Sequence, residues 1–201
     1  MVQNLQKSLN AKDNLARFGY EEKGNSCISD VLFLKVRQEP NGVQKTVSKA
    51  MNFLMKDNFL FRKKVFVKVN LISSEFVPSQ CTSPLVLDGV LHELTKYECE
   101  ITLGDADLAA ARQCDKAAEV WGHKKLAEKY GVTFMNLSRD KAIKVSVNGK
   151  VFKTLDVPKC ILGADYIINL PVMKTHCLTG ITCALKHLWG IVTRVRHQYH
   201  L

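Results

Sequence analysis

Short β-branched runs alternate with helical repeats along most of this chain, and that alternation leaves few folds open to it. SDVLFLKVR (29–37) reads as a first strand, and NGVQKTVSKAMNFLMKDN (41–58) as a helix with Val43, Val47, Met51, Leu54 and Met55 at helical spacing. KKVFVKVNLI (63–72) sets Val65, Val67 and Val69 against Phe66 and Lys68, the period of a strand. Thr82-Ser83-Pro84 reads as a helix start, a hydroxyl cap followed by a proline whose missing N–H costs little there. The helix runs from Leu85 to about Tyr97. ECEITLGDAD (98–107) reads as a strand, AEVWGHKKLAEKYG (118–131) as a helix stopped by Gly131, and GVTFMNL (131–137) as a strand. IKVSVNGKVFKTLDV (143–157) carries Asn148-Gly149 between alternating segments, a hairpin signal. ADYIINLP (164–171) reads as the last strand and CLTGITCALKHLWGIV (177–192) as the last helix. The expected fold is α/β: a mostly parallel sheet with helices on both faces and one β-hairpin excursion.

Residues 1–28 read as a polar, mobile leader and 29–201 as a single domain. No run approaches ~18 apolar residues, which excludes a spanning helix, and the N-terminus lacks the apolar stretch of a secretory signal. The seven cysteines (27, 81, 99, 114, 160, 177, 183) include no C-x-x-C. That argues against a disulfide framework or a zinc ribbon and points to a reducing, cytoplasmic setting.

Charge is concentrated at the end of the chain. Residues 141–201 hold nine Lys and Arg against two Asp, +7 of the formal +10. A local cationic field suits an anionic partner. In open α/β sheets ligands sit beyond the carboxyl ends of the strands. Those ends carry Asn70 with Ser73 and Ser74, then Gly104-Asp105-Ala106-Asp107, then Asn169-Leu170-Pro171 followed by Lys174-Thr175-His176. If 177–192 is a helix, Leu178, Ile181, Leu185, Leu188 and Val192 form its apolar stripe, with Thr179, Thr182 and Lys186 beside them facing the crevice. Gly180 would let a ligand approach the backbone, and the first turn would favour an anion. After it, Arg194, Arg196, His197 and His200 are placed to fold back over the site. Each piece also has a plain reading: Lys-Thr-His as exposed loop residues, Thr179 as a helix-start residue, Lys186 as a snorkelling side chain. Asp105 and Asp107 could bind a cation or act as acid or base, but an acidic turn after a strand is commonly only a cap.

The stretch ADYIINLPVMKTHCLTGITCALKHLWGIV resembles the signature of the DUF362 family, and VFVKVNLIS, CTSPLVLDGVLHEL and KKLAEKYGVTFMNL resemble its earlier blocks. Two positions depart from the family pattern: Val69 replaces a proline, and His187 stands where asparagine is usual. The resemblance implies a redox-associated protein whose relatives often carry 4Fe–4S clusters in a C-terminal domain. That part is expected to be lacking here, and the chain's own cysteines give no cluster site. A more distant similarity links His176, Lys186 and His200, in that order, to the lactate racemase nickel-pincer family. There the lysine carries a nucleotide cofactor and a histidine accepts a proton.

These readings imply a crevice binding an anionic small molecule or cofactor through Lys68, Asn70, Lys174, Thr175, Thr179, Gly180, Thr182 and Arg196. His176, Lys186 and His200 are the candidate catalytic residues, and no metal ligands are assigned. A racemase- or epimerase-type enzyme and an inactive truncated homologue are the alternatives. A redox partner and self-association through apolar surface are further expectations. Nucleic acid is not an expected partner, because the aromatic and Arg interleaving of a single-strand platform is weak.

Overall fold

The computed structural model describes residues 8–10, 15–22, 25–36, 39, 41–55, 59–108 and 112–192. The chain divides into two compact units, 1–54 and 55–201. The first holds strands β1 (Ser8–Asn10), β2 (Leu15–Glu22) and β3 (Asn25–Leu32), paired antiparallel in that order, and helix α1 (Gly42–Leu54). The strand expected at 29–37 therefore ends at Leu32 and belongs to an antiparallel sheet, not to the parallel one.

The second unit contains β4 (Lys64–Val69), α2 (Pro84–Thr95), β5 (Glu100–Asp105), α3 (Cys114–Val120), α4 (His123–Tyr130) and β6 (Thr133–Asn136). It continues with β7 (Ala142–Ser146), β8 (Thr154–Pro158), α5 (Lys159–Leu162), β9 (Tyr166–Leu170), β10 (Lys174–His176), β11 (Gly180–Thr182) and α6 (Ala184–Leu188). Four strands form a parallel sheet in the order β6-β5-β4-β9. The α/β class with a parallel sheet flanked by helices is thus as expected. The single hairpin is not: β7–β8 and β10–β11 are both antiparallel pairs. The β7–β8 connection spans residues 147–153, longer than a two-residue Asn-Gly turn.

Register explains where a site can form. Lys68 lies between Gly104 and Asn169 at the carboxyl ends of three strands. The strand order reverses between β4 and β9, the crevice position for ligands in open α/β sheets. Phe66 and Lys68 share one face by alternation. Phe66 packs there with Ala106, Leu137, Val157 and Ile161, so the β8–α5 segment covers that face. Helices α2 and α4 pack on each other. Among the described residues no helix is long and apolar enough to cross a membrane.

Two expected helices differ from the structure. The one at 118–131 is broken: α3 ends at Val120, and Gly122 at φ 73° restarts the chain as α4. Gly131, at φ 63°, stops α4 as expected. The helix at 177–192 exists only from Ala184; residues 180–182 form β11 instead. Thr179, Ile181 and Thr182 are β-branched and lose rotamer freedom in a helix, and Gly180 sits at φ 71°, outside helical space. The supposed stripe is not a core face, since Leu178, Ile181 and Leu185 are exposed, Leu185 to 87%. With the helix gone, so is the anion-favouring first turn at Thr179 and Gly180.

Thr82 does not cap α2 either. Its Oγ1 accepts from the Asn70 N–H at 2.8 Å and donates to the Leu170 carbonyl at 2.7 Å, tying the ends of β4 and β9 together. The isosteric Thr82→Val leaves two backbone groups without partners. It should lower unfolding free energy by about 2–4 kcal/mol, read from urea denaturation midpoints.

Candidate functional site

A cleft of about 350 Å³ opens at the switch point, walled by the ends of β4 and β5, the β10–β11 hairpin and α6 with the single turn after it. Its floor is polar and buried. The Lys68 ammonium, 0% exposed, bonds Asp105 Oδ1 at 2.6 Å and lies 3.0 Å from His187 Nε2. Asp105 also accepts from the N–H groups of Leu71 and Ala106, which fixes its carboxylate.

The His187 ring is fixed by a chain of partners. Asn169 donates from Nδ2 to the Ala184 carbonyl, so its Oδ1 accepts from His187 Nδ1–H at 2.6 Å. Nε2 lies 3.0 Å from both the Lys68 ammonium and the Val69 carbonyl oxygen. With the Nδ1 proton given to Asn169, it accepts from Lys68 and the Val69 oxygen is a close neighbour without a shared proton, an assignment made from the network. Burial, and after it the neighbouring Lys68, pushes this imidazole down to about 4. A Cβ at Gly190 would lie 3.0 Å from Lys68 Nζ, so this glycine lets the backbone close over the pair.

The hairpin supplies the cleft's other wall. Lys174 faces Thr182 across it, and Thr175 faces Ile181. Alternation puts Lys174, His176 and Thr182 toward the cleft and Thr175 away from it. The Lys174 ammonium donates to Asn70 Oδ1 at 2.7 Å and to the Gln80 carbonyl. Both acceptors are neutral, and burial pulls its pKa down, with Lys186 adding a smaller push in the same direction. His176 Nδ1 accepts from the Leu178 and Thr179 N–H groups, at 3.1 and 3.3 Å, and so holds the hairpin turn. Thr182 Oγ1 is buried and has no hydrogen-bond partner among the described residues.

Of the residues expected at the site, Lys68, Asn70, Lys174, His176, Thr182 and Lys186 all line this one cleft. Thr175, Thr179 and Gly180 do not line it: Thr179 Oγ1 instead donates to the Ile181 carbonyl. Arg196 and His200, with Arg194 and His197, lie outside the described residues. Asp105, which in the sequence reads as a cap, and His187, which there is only a departure from the family pattern, both stand at the floor of the cleft. Sequence reasoning missed Trp189 and Gly190 altogether. The signal available was the polar residue at each strand end, Asp105 and Asn169.

A larger cavity, about 560 Å³, lies beside Phe76, Cys81, Trp121, Leu170 and Met173 and is mainly apolar. Among the described residues no three His, Cys, Asp or Glu side chains converge as around a metal ion, so the described cysteines do not fit an iron–sulfur cluster. Comparisons with curated proteins and with solved structures give no match. Residues 65–201 match the family described as a domain of unknown function, DUF362. That stretch takes in the whole cleft and all but the first residue of the parallel sheet, and the chain belongs to the DUF362 family.

Proposed function

We propose that the chain binds an anionic small molecule with an apolar portion in the cleft at the ends of β4 and β5. The observation that carries this reading is Lys174: a half-buried ammonium whose hydrogen bonds, among the described residues, go to neutral carbonyl oxygens. Three lysines line the cleft against one aspartate. Asp105 is already committed to Lys68 and two backbone N–H groups, so among the described residues it does not neutralise Lys174. A desolvated ammonium gains more from an anion than a hydrated one does. Ile72, Leu108, Leu178 and Trp189 supply the apolar wall.

His176 fits this role as a donor. Its Nδ1 lone pair is taken by backbone N–H groups, so the neutral ring carries its proton on Nε2. A redox-associated role with a separate partner, as the family resemblance implies, is compatible with such a ligand. Acid–base chemistry of the racemase kind is a second reading, favoured by His176 and Lys186 lining one cleft. Intact mass after native purification tests it, because it requires a covalent adduct at Lys186.

The main reading is tested by thermal unfolding with a panel of anions: phosphate, citrate, benzoate and adenosine monophosphate. At least one should raise the midpoint by about 5 °C near saturation. Lys174→Met should remove that shift. No shift with any anion, or a shift that Lys174→Met leaves intact, overturns the reading.

A further inference from the structure

The orphaned hydroxyl of Thr182 narrows what the cleft holds. Thr182 is 4% exposed, and its Oγ1 finds no acceptor or donor among the described residues. A buried hydroxyl left unpaired costs its full desolvation, and valine would fill the same volume without that cost. It sits directly opposite Lys174 in the hairpin register, on the side that lines the cleft. Cross-strand neighbours of this kind have Cβ atoms about 5 Å apart. Among the described residues Lys174 has two acceptors for the three N–H bonds of its ammonium, Asn70 and Gln80.

Resting on the ligand-binding reading above, we infer that Thr182 and Lys174 form a two-donor clamp for the carboxylate of a small acid. The hydroxyl serves one oxygen and the third N–H of the ammonium the other. Two single donors match the two oxygens of a carboxylate; a tetrahedral phosphate calls for more. The acid's apolar body then lies against Leu108, Leu178 and Trp189, and a cleft of about 350 Å³ keeps it small. Thr182 is the residue that sets preference for this head group, and Lys174 supplies its charge.

The test uses benzoate and hexanoate as carboxylate probes and inorganic phosphate and phenyl phosphate as the alternative head group. Binding is read by calorimetry with wild type, Thr182→Val, Thr182→Ser and Lys174→Met. The expected result is carboxylate binding that Thr182→Val weakens tenfold or more and Thr182→Ser restores to within about threefold. The ligand-free Thr182→Val protein should unfold at or above the wild-type midpoint. A lower midpoint would show that the hydroxyl has a partner within the protein, and the clamp is then overturned. Carboxylate binding lost in Lys174→Met but unchanged in Thr182→Val overturns the clamp and leaves the ligand-binding reading standing. Phosphate binding in preference to carboxylate overturns the assignment of head group. If the wild type binds no probe and no anion of the panel above, the ligand-binding reading falls and the clamp falls with it.

Discussion

Stability is expected to drop steeply as the pH falls from about 6.5 to about 4. Two imidazoles are buried neutral: His123, 0% exposed, and His187, 5% exposed. Each is pushed from 6.5 down to about 4, with burial the first cause in both. At His187 the charge on Lys68 adds to burial, Asp105 and the Val69 carbonyl oppose it, and Lys174 contributes a smaller repulsion. At His123 a bond to the Thr82 carbonyl and the charge on Asp105 both oppose it. The unfolded chain takes up a proton at each imidazole near 6.5, and the folded chain does so only near 4. Between those values the unfolded state holds more protons, so stability rises with pH and is lost as pH falls. A depression of this size corresponds to about 3 kcal/mol for each ring. Two rings together approach the whole stability of an ordinary domain. The carboxylates of Asp88 and Asp140 are held below 3.8, so their stabilising contribution is lost only below this window. Urea midpoints at pH 7.5, 6.0, 5.0 and 4.5 should therefore fall in sequence. His187→Asn, which installs the family's usual amide, should remove about half of that slope, and adding His123→Gln most of the rest. A flat profile between pH 7.5 and 4.5 would mean that the rings titrate as exposed imidazoles.

The parallel sheet was legible because its strands read as short apolar runs bounded by helices, the central β4 being buried from Val65 to Val69. Lys68, in the middle of one such run, is fully buried and marks the floor of the cleft. The polar residues at strand ends were legible from the rule that ligands sit beyond the carboxyl ends of strands in such sheets, which picks out Asn70 and Asp105 although an acidic turn there also reads as a cap. What misled was Leu178, Ile181 and Leu185. Their spacing fits a helix, but spacing says nothing about burial, and all three face solvent. The local chemistry of Thr179-Gly180-Ile181-Thr182 was the better guide, since three β-branched residues around a glycine suit a turn and a strand. The consequence for the site was mixed. Lys174, His176 and Thr182 line the cleft from a hairpin, and Lys186 lines it from the short helix α6. Thr175, expected in a loop, lies in β10, where strand alternation turns it away from the cleft. The Lys68–Asp105 pair was beyond sequence reasoning, since 37 positions separate the two residues and only sheet register brings them together.

That register also makes Gly104→Ala the most damaging small substitution expected in the sheet. Gly104 pairs with Lys68 on one side and with Met135 on the other. A Cβ there would fall 2.0 Å from the Met135 carbonyl oxygen, where carbon–oxygen contacts normally begin at about 3.3 Å. The obstacle is backbone within a hydrogen-bonded sheet, so no side-chain rotation relieves it. Overpacking a well-packed interior costs about 1–3 kcal/mol when side chains can yield, and a clash with backbone belongs at or above the top of that range. The next residue is Asp105, whose carboxylate holds Lys68 and the Leu71 and Ala106 N–H groups. Displacing β5 from β6 would therefore open the floor of the cleft along with the sheet. Gly104→Ala should lose about 3 kcal/mol or more by urea denaturation and lose any anion-dependent rise in unfolding temperature. Gly163→Ala is the matching control. Gly163 has φ −85° and ψ −8°, and its Cβ would meet nothing nearer than the Lys159 carbonyl at 3.5 Å. That change should be neutral or stabilise by about 0.4–1 kcal/mol, through the reduced freedom of the unfolded chain. Equal stability of the two variants would show that β5 and β6 can separate without cost. The placement of Asp105 beneath Lys68 would then depend on something other than sheet register.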